Sequence, residues 1–285
     1  MGYSAVETRD IVIPGVPVRR PGIYYGYYGV LDDDQIERTR NHTNLLWAIP
    51  WACNDAQRLN TLNDILAAKQ PTFLDVGYTL YGPGEIKDFV VNNESEIRLT
   101  NYFNQLNEAG ALKYVVGIVL FDEPNVDDIK KQKLKKFTTS FITDSLNCIQ
   151  RCVDKFQVLR NVKYVVTYGD GADMLCMNMF DYVGFDAYHF NSAFLRPEGP
   201  YERKIRRNLL SHQRTLIYPG GHTSANHPTP QDPTPFVNFA FRNYEVIGVI
   251  PFCWHAESHH DFETGIKDNG SLPMYEAAGK LVCGK

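Results

Sequence analysis

Eight short apolar runs recur along this chain, each closing on turn-like or polar residues. They are GIYYGYYG (22–29), TNLLWAIP (43–50), TFLDVGY (72–78), YVVGIVLFDEP (114–124), VKYVVTYGD (162–170), YVGFDAYHF (182–190), TLIYPGG (215–221) and VIGVIPFCW (246–254). They are almost continuously apolar and rich in Val, Ile, Tyr and Phe, the pattern of strands covered on both faces. Segments of helical character separate them. Strand followed by helix, eight times over, predicts one closed parallel (β/α)₈ barrel across residues 1–285, with 1–20 as an N-terminal lead-in. An open doubly wound sheet is the competing architecture. It is disfavoured because no glycine-rich phosphate turn follows the first run.

The expected helices follow from caps and spacing. Acids open 32–42 and suit a helix N-terminus. Residues 54–70 set Leu59, Leu62, Ile65 and Leu66 on one face, with Asn54 or Asp55 as cap. Segment 127–156 is the longest and contains a break. Residues 200–213, 233–245 (proline at its start) and 273–284 (ending near Gly284) complete the set. Longer loops are expected at 77–96, 189–200 and 219–235, on the C-terminal face where barrels build their sites. The stretch 222–235, rich in proline and small polar residues, suits either a rim or lid or a structural loop tied down by proline.

Composition narrows the partners. A net charge of −4 gives no basic field for a nucleic-acid backbone, and the basic run 130–137 reads as the solvated face of a helix. No stretch approaches the roughly 18 apolar residues of a membrane span. MGYSAVETRD at the start has no apolar run of signal-peptide length. Synthesis in the cytoplasm is the expectation, with export by a route without a cleaved signal left open. Six scattered cysteines make no disulfide framework and read as reduced, small buried hydrophobes. Nothing in the sequence sets the oligomeric state. The 17 Tyr and 16 Phe are the compositional excess, rings that suit a barrel core and, at strand ends, a sugar.

The fourth run ends in Asp122-Glu123-Pro124. An apolar run closing on Asp-Glu also resembles a Walker B strand, but that needs an upstream G-x-x-x-x-G-K-[ST] loop. The chain's Gly-Lys pairs, Gly279-Lys280 and Gly284-Lys285, stand at its end. A Glu just after the fourth strand and before Pro resembles the acid/base position of the large clan of (β/α)₈ glycoside hydrolases. Their motif there is Asn-Glu-Pro, with Asp122 here in place of Asn. The segment 181–190 is similar to the clan's sixth strand. PFCWH (251–255) is similar to its eighth, whose terminal Trp254 would floor the sugar site. FETGIKDNGSLPMYEAAGKL (262–281) resembles the stretch that closes many of these catalytic domains.

The resemblance implies cleavage of an oligo- or polysaccharide with Glu123 as general acid/base. That chemistry needs one carboxylic acid of raised pKa to protonate the leaving oxygen. A second carboxylate must attack the anomeric carbon or activate water. Retaining members of the clan carry this second group, a Glu, at the end of strand seven, where this chain has LIYPGGH and no acid. Three explanations compete. Another carboxylate serves: Asp186 first, then Asp75, or Asp32 and Asp33. Alternatively the substrate's own 2-acetamido group attacks, with Asp122 orienting it. In the third, the barrel binds carbohydrate without cleaving it. The expected catalytic residues are Glu123, Asp186 and Asp122.

Trp51, Trp254, Tyr188, His189, Tyr27 and His222 are the expected contacts to sugar, as aromatic platforms or polar partners of hydroxyls. No metal or other cofactor is expected. The His-x-His that metal-dependent barrel hydrolases show after strand one is replaced by YYGVLDDD, and His259 and His260 are adjacent. A metal-dependent hydrolase is therefore the minor alternative. A G-x-S-x-G elbow is absent, and Cys253 near His255 reads as an inert strand thiol.

Overall fold

The computed structural model describes residues 19–28, 33–50, 54–82, 90–122, 137–169, 174–186, 195–225, 227–254 and 262–285. Its barrel strands are β1 (Tyr24–Tyr25), β2 (Leu46–Ala48), β3 (Thr72–Asp75), β4 (Val115–Asp122), β5 (Lys163–Tyr168), β6 (Tyr182–Asp186), β7 (Arg214–Tyr218) and β8 (Val246–Val249). Each falls inside one of the eight apolar runs, except that β7 begins one residue before its run. All pair in parallel, in the spatial order β1-β8-β7-β6-β5-β4-β3-β2.

The sheet curls until its two edges meet. Asn44, just before β2, closes the seam: its backbone N–H donates to the Tyr25 carbonyl at 2.9 Å. Its side-chain Oδ1 accepts from the Tyr25 N–H at 2.7 Å, and its Nδ2 donates to the Ile23 carbonyl at 2.9 Å. Rings also meet across the interior from strands that are not neighbours. Trp47 on β2 lies 5.8 Å from Tyr218 on β7, and Phe73 on β3 lies 6.0 Å from Tyr182 on β6.

Side-chain alternation sorts each strand into two layers. Trp47, Phe73, Val119, Val165, Leu216 and Tyr218 fill the barrel. Leu74, Ile118, Val166, Val183 and Ile217 face outward, under the helices. Both faces are dry, so both sets are apolar.

The helices include α1 (Asp33–Thr39), α2 (Asp55–Ala68), α3 (Gly77–Tyr81), α4 (Asn93–Glu108), α5 (Thr139–Val153), α6 (Thr234–Arg242) and α7 (Leu272–Cys283). Asn54 caps α2, accepting from the Gln57 N–H at 2.9 Å. Of the face expected there, Ile65 is buried but Leu59 is 57% exposed. Gly284 ends α7 in the left-handed region at φ 69°.

Two helical expectations need correction. Helix α4 begins inside the segment read as a loop. Asn92 and Ser95 cap it reciprocally, and Leu99, Tyr102, Phe103 and Leu106 give it a buried face. An Asn-x-x-Ser box and an exposed Ile97 hid its period. Conversely, 200–213 forms only a π-helical turn (Tyr201–Ile205) and a 3₁₀ turn (Arg206–Asn208). Its basic residues pair instead: Arg206 with Glu202 and Glu245, and Arg207 with Glu198.

Candidate active site

The C-terminal strand ends bring together β4, β5, β6 and β7. A bulge lies between Val119 and Phe121, after which the backbone of Asp122, the last residue of β4, stands in register with Thr167 on β5. Glu123 and the rest of 123–136 lie outside the described residues, as do Trp51, Tyr188, His189, Asp32 and His255.

Asp186 ends β6 and is 5% exposed, in register with Tyr218, the last residue of β7. Two positions before it on the same face stands Gly184. A side chain there would collide with the Tyr218 hydroxyl, so the glycine makes room for the ring to lean across β6. The Tyr218 hydroxyl then meets Thr167 Oγ1 at 2.9 Å, fully enclosed. This hydroxyl pair joins the β5 residue registered with Asp122 to the β7 residue registered with Asp186. Sequence reasoning passed over both residues. The signal was a hydroxyl at a strand end opposite a glycine in the adjoining run.

Asp75 ends β3. Its Oδ1 accepts from the Gly77 N–H at 2.8 Å, capping the turn into α3, while burial pushes its carboxyl up to about 7. The hydrogen bond pulls the other way and is outweighed. A buried carboxyl of this kind is a neutral donor at acid pH and a costly anion above neutrality.

After β7 the chain runs Pro219-Gly220-Gly221-His222 with no acid. His222 is enclosed, its ring 5.6 Å from that of Phe252 and its Nδ1 3.4 Å from the Phe252 carbonyl oxygen. Beyond it Thr223–Ser224 pairs antiparallel with Phe262–Thr264 as a short ribbon. The loop that follows is tied down. Gln231 exchanges bonds with Gly220, and the Tyr275 hydroxyl donates to the carbonyls of Gly220 and Gln231. Of the two readings of this segment, the fastened loop describes what is seen.

Two expected sugar contacts are placed elsewhere. Tyr27 and Trp254 are both enclosed in the outer layer, with ring centroids 5.0 Å apart. The Tyr27 hydroxyl bonds His42 Nε2 at 2.9 Å, and the Arg38 guanidinium sits 5.3 Å from the Trp254 ring. The cause is strand phase. Tyr24 and Tyr28 belong to the inner layer, so Tyr25 and Tyr27 face out. Neither Tyr27 nor Trp254 presents a face to the barrel mouth.

Among the described residues no three His, Cys, Asp or Glu side chains gather as a metal site requires. None of the described helices is long and apolar enough to cross a membrane. Cys148, Cys152, Cys176, Cys253 and Cys283 are free thiols.

No family model matches the chain, and no curated protein matches it. Solved structures do. A fungal β-1,4-galactanase is similar over 90% of this chain and 94% of its own, at 13% identity and TM-score 0.55. A Thermotoga maritima β-glucosidase, solved with cyclophellitol, is similar over 87% and 85%, at 12% identity and TM-score 0.53. A Faecalibacterium prausnitzii β-glucuronidase is similar over 91% of this chain, which spans only 49% of that enzyme's length, at 11% identity and TM-score 0.57. At such identities likeness is a matter of fold, and the fold shown is the (β/α)₈ barrel.

Proposed function

We propose that the protein hydrolyses glycosidic bonds in an oligo- or polysaccharide, with Glu123 as general acid/base and Asp186 as the second carboxylate. The observation that carries this reading is the placement of acids at one end of the barrel. Strand β4 closes on Asp122 with Glu123 next in the chain, and β6 closes on an enclosed Asp186 two strands away. Parallel strands put both ends on the same face, where a substrate bond could lie between them. Asp122 would orient the substrate or its acid neighbour.

One observation favours a second reading, a barrel that binds carbohydrate without cutting it. Strand β7 closes on Tyr218 and then Pro219-Gly220-Gly221, with no carboxylate. Release of reducing ends from a panel of glycans separates the two readings. Glu123→Gln keeps the shape and removes the proton, so cleavage should fall by about 10²–10⁴. Binding without any release by the native protein would favour the second reading, and equal cleavage by the mutant would remove Glu123 from its role.

A further inference from the structure

The cap at the end of β3 uses only one of the two oxygens of Asp75. Oδ1 accepts from the Gly77 N–H at 2.8 Å. Among the described residues none donates to Oδ2, and Oδ2 is not one of the polar atoms sealed without a partner. It therefore opens on the small part of the residue, 7%, that remains accessible. Two relations put Asp75 on the inner face of the barrel. It stands two residues after Phe73 on β3 and in register with Val119 on β4, and both of these fill the interior. As the last residue of its strand it lies at the C-terminal mouth. An asparagine would cap the turn equally well, and enclosing a carboxyl among apolar side chains is unfavourable. A costly group that the fold does not need is a mark of function.

We propose that Asp75 is a substrate-binding residue whose Oδ2 meets an oxygen of the bound carbohydrate, beside the strand that leads to Glu123. This rests on the reading of the mouth as a carbohydrate site. Strand β3 flanks β4 on the side away from β6, so the contact falls across the Glu123 strand from Asp186. Burial keeps the carboxyl protonated up to about 7. With Oδ1 occupied as an acceptor, the proton sits on Oδ2 and makes the group a donor. The titratable groups within its electrostatic reach are the phenols of Tyr81 on α3 and Tyr102 on α4, both kept neutral by burial. Asp122 closes the neighbouring β4. A carbohydrate held this way takes a hydrogen bond that only the protonated acid gives, so its affinity should fall as pH rises through 7.

The test is calorimetric binding of cellotetraose, xylotetraose, mannotetraose and chitotetraose between pH 5 and 8, in a Glu123→Gln background that halts cleavage. Affinity for the tetrasaccharide bound should drop about five- to tenfold from pH 5 to pH 8. Binding at pH 8 should take up about 0.5 to 0.9 of a proton, read from buffers of different ionisation enthalpy. Asp75→Asn keeps the cap and presents an N–H in place of the O–H. It should bind at pH 5 within about threefold of the background protein and lose most of both the drop and the uptake. Asp75→Ala, which strands the Gly77 N–H, should bind about five- to tenfold more weakly already at pH 5. A flat profile in the background protein, or a drop and uptake unchanged in Asp75→Asn, would overturn the proposal while leaving the carbohydrate site standing. Binding of none of the four would sink the carbohydrate reading, and the role of Asp75 with it.

Discussion

The barrel is built to two different standards on its two sides. From β3 to β7 the strands run four to eight residues and hold one another by backbone ladders. Around β1 and β2 they shrink to two and three residues, and side chains do the joining. Asn44 bridges β1 to the chain before β2. Arg20 donates to the carbonyls of Asn243 and Val246 beside β8, and Arg19 reaches the end of α7. The Tyr25 hydroxyl donates to the Tyr275 carbonyl at 2.8 Å. A ladder spreads its energy over many equivalent bonds, whereas a seam of this kind concentrates it in few. The candidate acids stand on the ladder side. The side that must keep its geometry is therefore the one least exposed to any single change.

The largest effect should come from cutting the seam. Asn44→Ala leaves the Tyr25 N–H and the Ile23 carbonyl without their partners. At about 1–3 kcal/mol for each buried group stranded, and some water reaching this half-buried site, the loss should be about 3 kcal/mol. Denaturant unfolding measures it. Native-state hydrogen exchange decides whether the two sides are separate: the Tyr25 and Leu46 amides should quicken far more than those of β4 to β6. Uniform quickening would break the distinction between seam and ladder.

Much of this was legible in the sequence, because a strand buried on both faces announces itself by composition alone. Each apolar run holds a strand, and Asp122 and Asp186 close two of them. What could not be read depends on phase and partner. Tyr27 and Tyr28 are adjacent, and only the register of β1 decides which of them enters the barrel. Asn44 looks like any polar residue before a strand until the far edge arrives beside it. Trp254 closes an apolar run yet folds under Arg38 and Tyr27. Helix α4 escaped because its Asn-x-x-Ser cap is written in residues common in loops and its exposed Ile97 blurs the period of its buried face. Of the expected site residues, Asp186, His222, Tyr27 and Trp254 can be placed with side chains, Asp122 by its backbone, and Glu123, Trp51, Tyr188 and His189 lie outside the described residues.

Acid should test the seam more gently. Burial, and then the nearby charges of Lys280 and Lys285, hold the His42 imidazole down to about 4. Unfolded, it takes a proton near its ordinary value of about 6.5. The stability it contributes is thus whole above that value and is lost as pH falls toward 4. Against His42→Gln, which can still bond the Tyr27 hydroxyl, the native melting temperature should lose ground as pH falls from 7 across this window. An equal slope in both proteins would mean that other groups govern the acid limb.

The last effect should appear on the ladder side and run the other way. The Asp75 carboxyl is raised to about 7 by burial, against about 3.9 in an unfolded chain. An acid whose folded value lies above its unfolded one stabilises the fold below the unfolded value and loses that contribution as pH rises through the folded one. Asp75 should therefore penalise the native protein progressively from pH 4 to 7, over much the same range in which His42 recovers. The two curves partly cancel, so the native protein should show a shallow profile that conceals both. Asp75→Asn keeps an acceptor for the Gly77 N–H and removes the charge, so its melting temperature should gain on the native protein as pH rises from 4 to 7. A difference between the two proteins that does not change with pH would show that Asp75 is not a buried, late-ionising acid. The shallow native profile would then need a source outside this pair.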